Sequence, residues 1–129
     1  MDYPELGITR LEYSDEHFAY YGTIRIGGVA VDLHFPLREP ATEVDVIEKY
    51  RTVLSGAIAK SADLIRQAQA NVPHGDCLPP VSALLVYDRS LDLQFGSSNP
   101  DDRHLWYEAM YQPDCTLYHF EKHAPSRQT

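Results

Sequence analysis

Hydrophobic positions between Thr42 and Asn71 recur at intervals of three and four residues, which is the spacing of one face of an α-helix. The members of this stripe are Ile47, Tyr50, Leu54, Ala57, Ile58, Ser61, Ile65 and Ala68. Thr42 has the side chain of a good N-cap, Asn71 tolerates the left-handed conformation of a C-terminal cap, and Pro73 cannot continue a helix. The pattern therefore predicts one long helix over residues 42–71.

Gly56 lies in the middle of this predicted helix, where glycine costs about 1 kcal/mol relative to alanine. Two interpretations are open: a strand approaches the helix closely at this position, or the helix bends there. We favour the close approach, so Gly56 is expected to pack against the sheet.

A β-hairpin is predicted around Gly27 and Gly28, because apolar alternation over residues 17–26 and 29–35 flanks this two-residue loop. The turn sets the predicted pairs, which are Ile26 with Val29, Ile24 with Val31, Gly22 with Leu33 and Tyr20 with Phe35. One face of the hairpin is apolar, and we expect the long helix to cover it. The opposite face is mostly polar and carries Tyr21, Thr23, Arg25, Ala30, Asp32 and His34.

The other strands are predicted from shorter alternating segments. They cover residues 6–13, 81–87, 91–95, 105–111 and 116–122. Both faces of residues 81–87 are apolar, so this strand is expected near the centre of the sheet. A helix over residues 102–110 is the alternative for one segment, and residues 124–129 are expected to be disordered.

The order of these elements, β-β-β-α-β-β-β-β, predicts a single α+β domain over residues 1–129. Its sheet is mainly antiparallel, has about six or seven strands, and packs against one long helix. A chain of 129 residues with 43% hydrophobic residues can form one such core.

Charge changes the picture of possible partners. The chain has 11 basic and 19 acidic residues and a formal net charge of −8, so nucleic-acid backbones are expected to be repelled and a basic protein attracted. The N-terminal sequence indicates no signal peptide, and no apolar segment approaches the length of a membrane span. A cytoplasmic protein with two free cysteines is the expectation.

A split zinc site is the most specific candidate for metal chemistry. His74 and Cys77 form one closely spaced pair, and Cys115 and His119 form another, so the four side chains have the types of a tetrahedral site. Buried cysteines and surface histidines explain the same pattern more simply. His119 and His123 share a strand face but are expected to lie too far apart for a shared ion.

Signatures of catalysis are absent from the sequence. It contains no nucleophile elbow, no Walker loop and no GxGxxG segment. Asp32 with His34, or Glu108 with Glu121, could form acid and base pairs, but solvated surface residues account for both. The sequence therefore predicts no catalytic residue, no metal and no cofactor.

The aromatic content is high, with nine tyrosines and one tryptophan. Several of them fall on sheet segments whose faces cannot all be buried, including the segment HLWYEAMY at residues 104–111. Exposed Tyr and Trp among acidic residues are typical of a protein-binding surface.

In size, acidity, sheet-plus-helix plan and Tyr-rich segments, the chain resembles the small acidic immunity proteins that bacteria carry against polymorphic or contact-dependent toxins. The resemblance implies a cytoplasmic, non-enzymatic inhibitor that binds a cognate basic toxin. The expected contact residues are Asp101, Asp102, Trp106, Tyr107, Glu108, Tyr111 and Asp114.

Two other functions remain open at this point. A secretion-type chaperone or adaptor of similar size and acidity would act as a homodimer and share the helix stripe between subunits. A small zinc-dependent module would use the four residues of the split site, His74, Cys77, Cys115 and His119.

Overall fold

The computed structural model describes residues 1–96 and 105–123. They form an α+β fold with one seven-stranded mixed sheet and two helices. The strands are β1 (Ile8–Ser14), β2 (Ala19–Ile26), β3 (Val29–Pro36), β4 (Val81–Val86), β5 (Leu91–Phe95), β6 (Trp106–Tyr111) and β7 (Leu117–His123). The helices are α1 (Glu43–Ala59) and α2 (Ser61–Gln69), and a 3₁₀ turn at Pro4–Leu6 precedes β1.

The strands follow one another across the sheet in the order in which they occur in the chain. All neighbouring pairs are antiparallel except β3 and β4, which are parallel. Parallel neighbours require a crossover connection, and α1 with α2 supplies it. The prediction of a mainly antiparallel sheet is confirmed, and β4 is the middle strand, as its two apolar faces indicated.

The hairpin of β2 and β3 has the predicted register. Ile26 pairs with Val29, Ile24 with Val31, Gly22 with Leu33 and Tyr20 with Phe35. Gly27 and Gly28 both have positive φ, at 59° and 81°, as a primed turn requires. The hydrophobic alternation and the turn residues therefore determined this part of the sheet correctly.

The prediction of one unbroken helix is wrong, because the helix is interrupted at Lys60 (φ −106°, ψ 19°). The Lys60 N–H still donates to the Gly56 carbonyl at 2.9 Å, so the interruption is a bend rather than a gap. The two segments contact different strands. In α1 the ring of Tyr50 stacks on Phe35 of β3, whereas the carbonyl of Leu64 in α2 accepts a hydrogen bond from Tyr111 of β6.

The expected close approach at Gly56 is also wrong, since a Cβ atom at this position would meet no other atom within 4 Å. The ends of the helical region agree with the prediction in part. Thr42 is the N-cap, and its hydroxyl accepts from the Asp45 N–H at 3.2 Å. Asn71 does not adopt a left-handed conformation, but its side-chain amide donates to the Gln67 carbonyl at 2.9 Å.

The core lies between the helices and one face of the sheet. From the helices it takes Val46, Ile47, Tyr50, Leu54, Ala57, Leu64 and Ala68, all of which are buried. From the sheet it takes the apolar face of every strand, including Phe35, Leu84, Leu93 and Phe95. Burial of each large aliphatic side chain contributes about 1.5 to 3 kcal/mol, so this one-sided core accounts for the stability of the fold.

The last two strands form the predicted hairpin, and its turn has Cys115 at a positive φ of 72°. The helical alternative is therefore wrong for the described part of that segment, Trp106–Met110. Leu105 lies outside both helix and strand, and residues 102–104 of that alternative, like the predicted tail at residues 124–129, lie outside the described residues. Within residues 1–96 and 105–123, neither helix has both the length and the apolar character needed to cross a bilayer.

Candidate functional site: the open face of the sheet

The helices cover one face of the sheet, and no helix of the described residues lies on the other face, which we call the open face. Two rows of directly paired residues cross the open face from β1 to β7. The first row is Glu12, Tyr21, His34, Leu85, Asp92, Met110 and His119. The second row is Thr9, Thr23, Asp32, Ala83, Gln94, Glu108 and Glu121. Each row contains one residue from every strand.

The two rows are strongly acidic. They contain five carboxylates, those of Glu12, Asp32, Asp92, Glu108 and Glu121, and no lysine or arginine. Positive and negative side chains that lie together on a surface neutralise one another. In these rows the histidines are the only side chains that could neutralise the carboxylates. The two rows therefore carry a net negative charge, and Arg25 of β2 lies on the same face outside them.

Aromatic and apolar side chains accompany these carboxylates. The ring of Tyr21 packs edge-on against His34, with 4.6 Å between the ring centres. Met110 is half-buried and lines a depression of about 610 Å³ together with Tyr87, Tyr118 and two basic residues, Arg38 and Arg89. The side chain of Tyr118 is 52% exposed, so this end of the open face presents an accessible aromatic surface.

A group of carboxylates and histidines gathers at the β6–β7 side of the open face. The group consists of Asp92, Glu108, His119, Glu121 and His123, and we call it the acid–histidine cluster. Glu108 pairs directly with Glu121 across β6 and β7. His119 and His123 lie on either side of Glu121 along β7, and both contact its carboxylate, which the sequence analysis did not anticipate.

The contacts within the cluster are short. His119 Nε2 lies 2.7 Å from Glu121 Oε1, and His123 Nε2 lies 3.3 Å from Glu121 Oε2. His123 Nε2 is also 3.5 Å from Glu108 Oε1. The imidazole of His123 stacks on the indole of Trp106, with 3.9 Å between ring centres and 12° between planes.

Asp92 is the buried member of the cluster. Its side chain lies between those of Leu85 and Met110 in the first row, is only 5% exposed, and has an Oδ1 atom with no hydrogen-bond partner among the described residues. Burial raises the pKa of Asp92 to about 7, and the negative charges of Glu108 and Glu121 add to the effect. This carboxyl group can therefore exchange a proton near neutral pH.

Two of the predicted contact residues do not lie on an accessible surface. Tyr107 and Tyr111 are fully buried on the helix-covered face and cannot contact a partner there. The Tyr107 hydroxyl donates to Asp76 at 3.1 Å, and the Tyr111 hydroxyl donates to the Leu64 carbonyl at 2.5 Å. The aromatic residues of this segment are typical of a binding surface, but the alternation of side chains along β6 directs both tyrosine rings toward the core.

The other predicted contact residues are distributed between three places. Trp106 and Glu108 lie half-buried on the open face, on the opposite side of β6 from the two tyrosines. Asp114 is exposed in the β6–β7 turn, where its carboxylate accepts from the Thr116 N–H at 3.0 Å. Asp101 and Asp102 lie outside the described residues.

The split zinc site is not assembled. Cys115 is buried on the helix side of the sheet, where its carbonyl accepts from the Gln67 side chain, whereas His119 belongs to the open face. Cys77 and His74 are exposed in the connection between α2 and β4. Among the described residues, the one group of three or more side chains with metal-ligand geometry is Glu108, Glu121 and His123.

Part of this cluster was visible in the sequence. His119, Glu121 and His123 alternate along one strand face, and Glu108 with Glu121 was considered as a pair, so the residue types were available. The sequence does not indicate Asp92, because it alternates with Leu91, Leu93 and Phe95 as a solvent-facing residue of a one-sided strand would. Strand order, which brings β5 beside β6 and β6 beside β7, was needed to join these residues.

Comparison with protein-family models, with curated proteins and with solved structures finds no match for this chain. Functional inference therefore starts from the chemistry of the open face.

Proposed function

We propose that this protein is a non-enzymatic binding module, a cytoplasmic immunity-type inhibitor whose open face binds a basic toxin. The observation that carries the proposal is the uncovered pair of rows, which contains five carboxylates and no lysine or arginine. A cationic protein surface is the complement of such a face, since charge of one sign over many residues attracts the opposite sign and repels its own.

Aromatic anchors support a protein as the ligand. Interfaces owe most of their binding energy to a few large side chains that become buried, and Tyr, Trp and Met are enriched among them. Tyr21, Met110 and Tyr118 are available on or beside the first row, and Trp106 extends the surface at its β6 end. The proposed contact surface therefore keeps Trp106 and Glu108 and replaces the two buried tyrosines with the exposed Tyr118 and the half-buried Tyr21.

The chaperone alternative receives no comparable support. It would require the helix stripe to be shared between two subunits. In the structure, Ile47, Leu54 and Leu64 are fully buried against the sheet of the same chain. A shared stripe would require that core to open, at a cost of about 1.5 to 3 kcal/mol for each such side chain.

The test uses the product of a toxin reading frame that neighbours this gene as the binding probe. We expect it to bind the purified chain, with an association rate that falls steeply as salt is raised, because screening weakens charge-steered encounter. Asp32→Asn, an exposed change on the open face, should slow association at low salt. Glu48→Gln removes the same charge from the exposed side of α1 and serves as the matched control.

Two results would contradict the proposal. One is a neighbouring toxin with no measurable affinity for this chain. The other is equal slowing by Asp32→Asn and Glu48→Gln, since that would assign the effect to net charge and not to the open face. A second pair of variants, Tyr118→Ala and Tyr13→Ala, repeats the comparison for exposed aromatic residues. We expect Tyr118→Ala to lose affinity for the toxin and Tyr13→Ala to keep it.

A further inference from the structure

The acid–histidine cluster has an arrangement that a binding surface for a basic protein does not require. An acidic patch needs only exposed carboxylates, whereas here one imidazole nitrogen and two carboxylates converge on the same point. The ligand atoms of Glu108, Glu121 and His123 all lie within 4.8 Å of one another. Imidazole nitrogen together with carboxylate oxygen is a common donor set for zinc.

The distances match those of a bound ion. Two ligands at zinc-ligand bond lengths of about 2.0 to 2.2 Å with a tetrahedral angle between them are separated by about 3.3 to 3.6 Å. His123 Nε2 lies 3.3 Å from Glu121 Oε2 and 3.5 Å from Glu108 Oε1. Two of the three donor–donor distances therefore already match those around a bound ion, and the third, between carboxylate oxygens of Glu108 and Glu121, is at most 4.8 Å.

The nitrogen at the centre of this arrangement makes no hydrogen bond within the described residues. His123 Nε2 is buried and has no hydrogen-bond partner among the described residues, although two carboxylate oxygens lie close to it. A buried polar atom without a partner is costly, and an ion placed between the three donors would satisfy it.

A second buried group lies nearby on the same face. Asp92 is 95% buried on the same face, and its Oδ1 is likewise unpartnered among the described residues. Glu108 and Asp92 are diagonal neighbours across β5 and β6, since Asp92 pairs with Met110 and Glu108 pairs with Gln94. Asp92 is not one of the three converging ligands, but a cation held by Glu108 would reduce the negative charge beside this buried carboxyl group.

Neighbouring side chains hold the ligands in position. His119 contacts Oε1 of Glu121 at 2.7 Å and leaves Oε2 directed toward His123. Trp106 stacks on the imidazole of His123 and limits its rotation. Such outer contacts are typical of metal sites, where they orient the ligands and raise affinity.

We propose that Glu108, Glu121 and His123 bind one divalent transition-metal ion of the zinc class. His119 is a positioning residue for Glu121, and three protein ligands leave one coordination position for water or for a side chain of another molecule. The proposal goes beyond the proposed function and does not rest on it, because the isolated chain should bind the ion without any partner.

The experiment titrates Zn²⁺ and Mg²⁺ into untagged, chelator-treated protein carrying Cys77→Ser, which removes an exposed thiol that would bind zinc by itself. Binding is followed by calorimetry and by the fluorescence of Trp106, the single tryptophan of the chain, which stacks on a proposed ligand. We expect one Zn²⁺ per chain, a change in Trp106 fluorescence that saturates at the same stoichiometry, and affinity for Zn²⁺ well above that for Mg²⁺ because of the nitrogen ligand.

Variants distinguish Zn²⁺ binding at this site from nonspecific attraction of the ion to an acidic protein. Glu121→Gln and His123→Ala should each weaken Zn²⁺ binding by at least about tenfold. Glu12→Gln and His34→Asn change the same residue types on the same face outside the cluster and should leave the affinity unchanged. Circular dichroism checks that each variant is folded.

Three outcomes would overturn the proposal: no stoichiometric Zn²⁺ binding, equal affinity for Zn²⁺ and Mg²⁺, or equal losses in the cluster variants and their controls. The test is also separable from that of the proposed function, since it contains no partner protein. Failure of either leaves the other standing.

Discussion

Asp92 is the residue whose surroundings fit its chemistry least. A carboxylate prefers water, but its directly paired neighbours on the open face are Leu85 and Met110, whose side chains exclude solvent from it. Desolvation disfavours the charged form, and two nearby carboxylates disfavour it further. The same residue thus carries a cost in stability and gives the open face a group that titrates near neutral pH.

A pH dependence of stability follows for the metal-free protein. Asp92 has a pKa of about 7 in the folded state, against about 3.9 expected for an unfolded aspartate. Below about pH 4 both states are protonated and Asp92 contributes no difference. As pH rises toward 7, the unfolded state releases its proton first, so the free energy of unfolding falls, by a few kcal/mol in total.

Urea unfolding in the presence of a chelator, measured from pH 4.5 to 8, checks this expectation. Asp92→Asn has no titrating group at this position. Its free energy of unfolding should therefore lack the decrease with rising pH that Asp92 produces. The control Asp32→Asn, an exposed change on the same face, should keep it. An unchanged slope in Asp92→Asn would show that other groups produce the pH dependence.

At the scale of elements, the bend between α1 and α2 lets one helical region contact distant parts of a wide sheet. In the first segment, Tyr50 stacks on Phe35 of β3. In the second, the Leu64 carbonyl accepts a hydrogen bond from the Tyr111 hydroxyl of β6. A straight helix of thirty residues would be about 45 Å long and could not follow both strands as the sheet twists. The bend at Lys60 thus reconciles the length of the helical region with the shape of the sheet.

For two glycines in this fold, we expect substitution by alanine to change the free energy of unfolding in opposite directions. Gly56→Ala should raise the free energy of unfolding by about 0.5 to 1 kcal/mol, because the position is helical and a Cβ there meets no atom within 4 Å. Gly22→Ala should lower it by about 1 kcal/mol or more, since the new Cβ would lie 3.1 Å from the backbone of Leu11 and of Thr9.

Chemical denaturation of both variants gives the comparison, and each serves as the control for the other. Destabilisation by Gly56→Ala would indicate that α1 packs more closely on a neighbour than the structure has it. A neutral Gly22→Ala would indicate that β1 is free to move away from β2.

At the scale of the whole molecule, apolar packing and acidic charge are separated onto the two faces of one sheet. The helices pack on one face and form the core, and the other face carries five carboxylates, which repel one another. Self-repulsion of this kind opposes folding and is screened by salt. An electrostatic cost concentrated on one surface is what a partner or a cation of opposite charge would relieve.

Thermal unfolding at increasing ionic strength measures that repulsion. The melting temperature of the wild type should rise with salt, and Asp32→Asn should raise it at low salt with little effect at high salt. Glu48→Gln is the matched control and should not raise it, because Glu48 forms an ion pair with Arg51 at 3.0 Å. Equal behaviour of the two variants would argue against a repulsive open face.

The sequence by itself determined the elements whose signals are local. Gly27 and Gly28 fixed the register of the hairpin, the period of three and four located the helical region, and Thr42 marked its start. Net charge and the α+β order were likewise determined by residue types and their succession. Each of these features depends on interactions within a few residues, which is why a pattern was sufficient to predict them.

Only the tertiary structure decided which residues face outward together. Trp106 and Tyr107 are adjacent and both aromatic, yet one contributes to the open face and the other to the core, because a shift of one residue along a strand reverses the face. Asp92, Glu108 and Glu121 come from three strands, and their encounter depends on strand order. Pairing between strands is a long-range choice made by packing of the whole core, so the chain alone did not reveal the cluster.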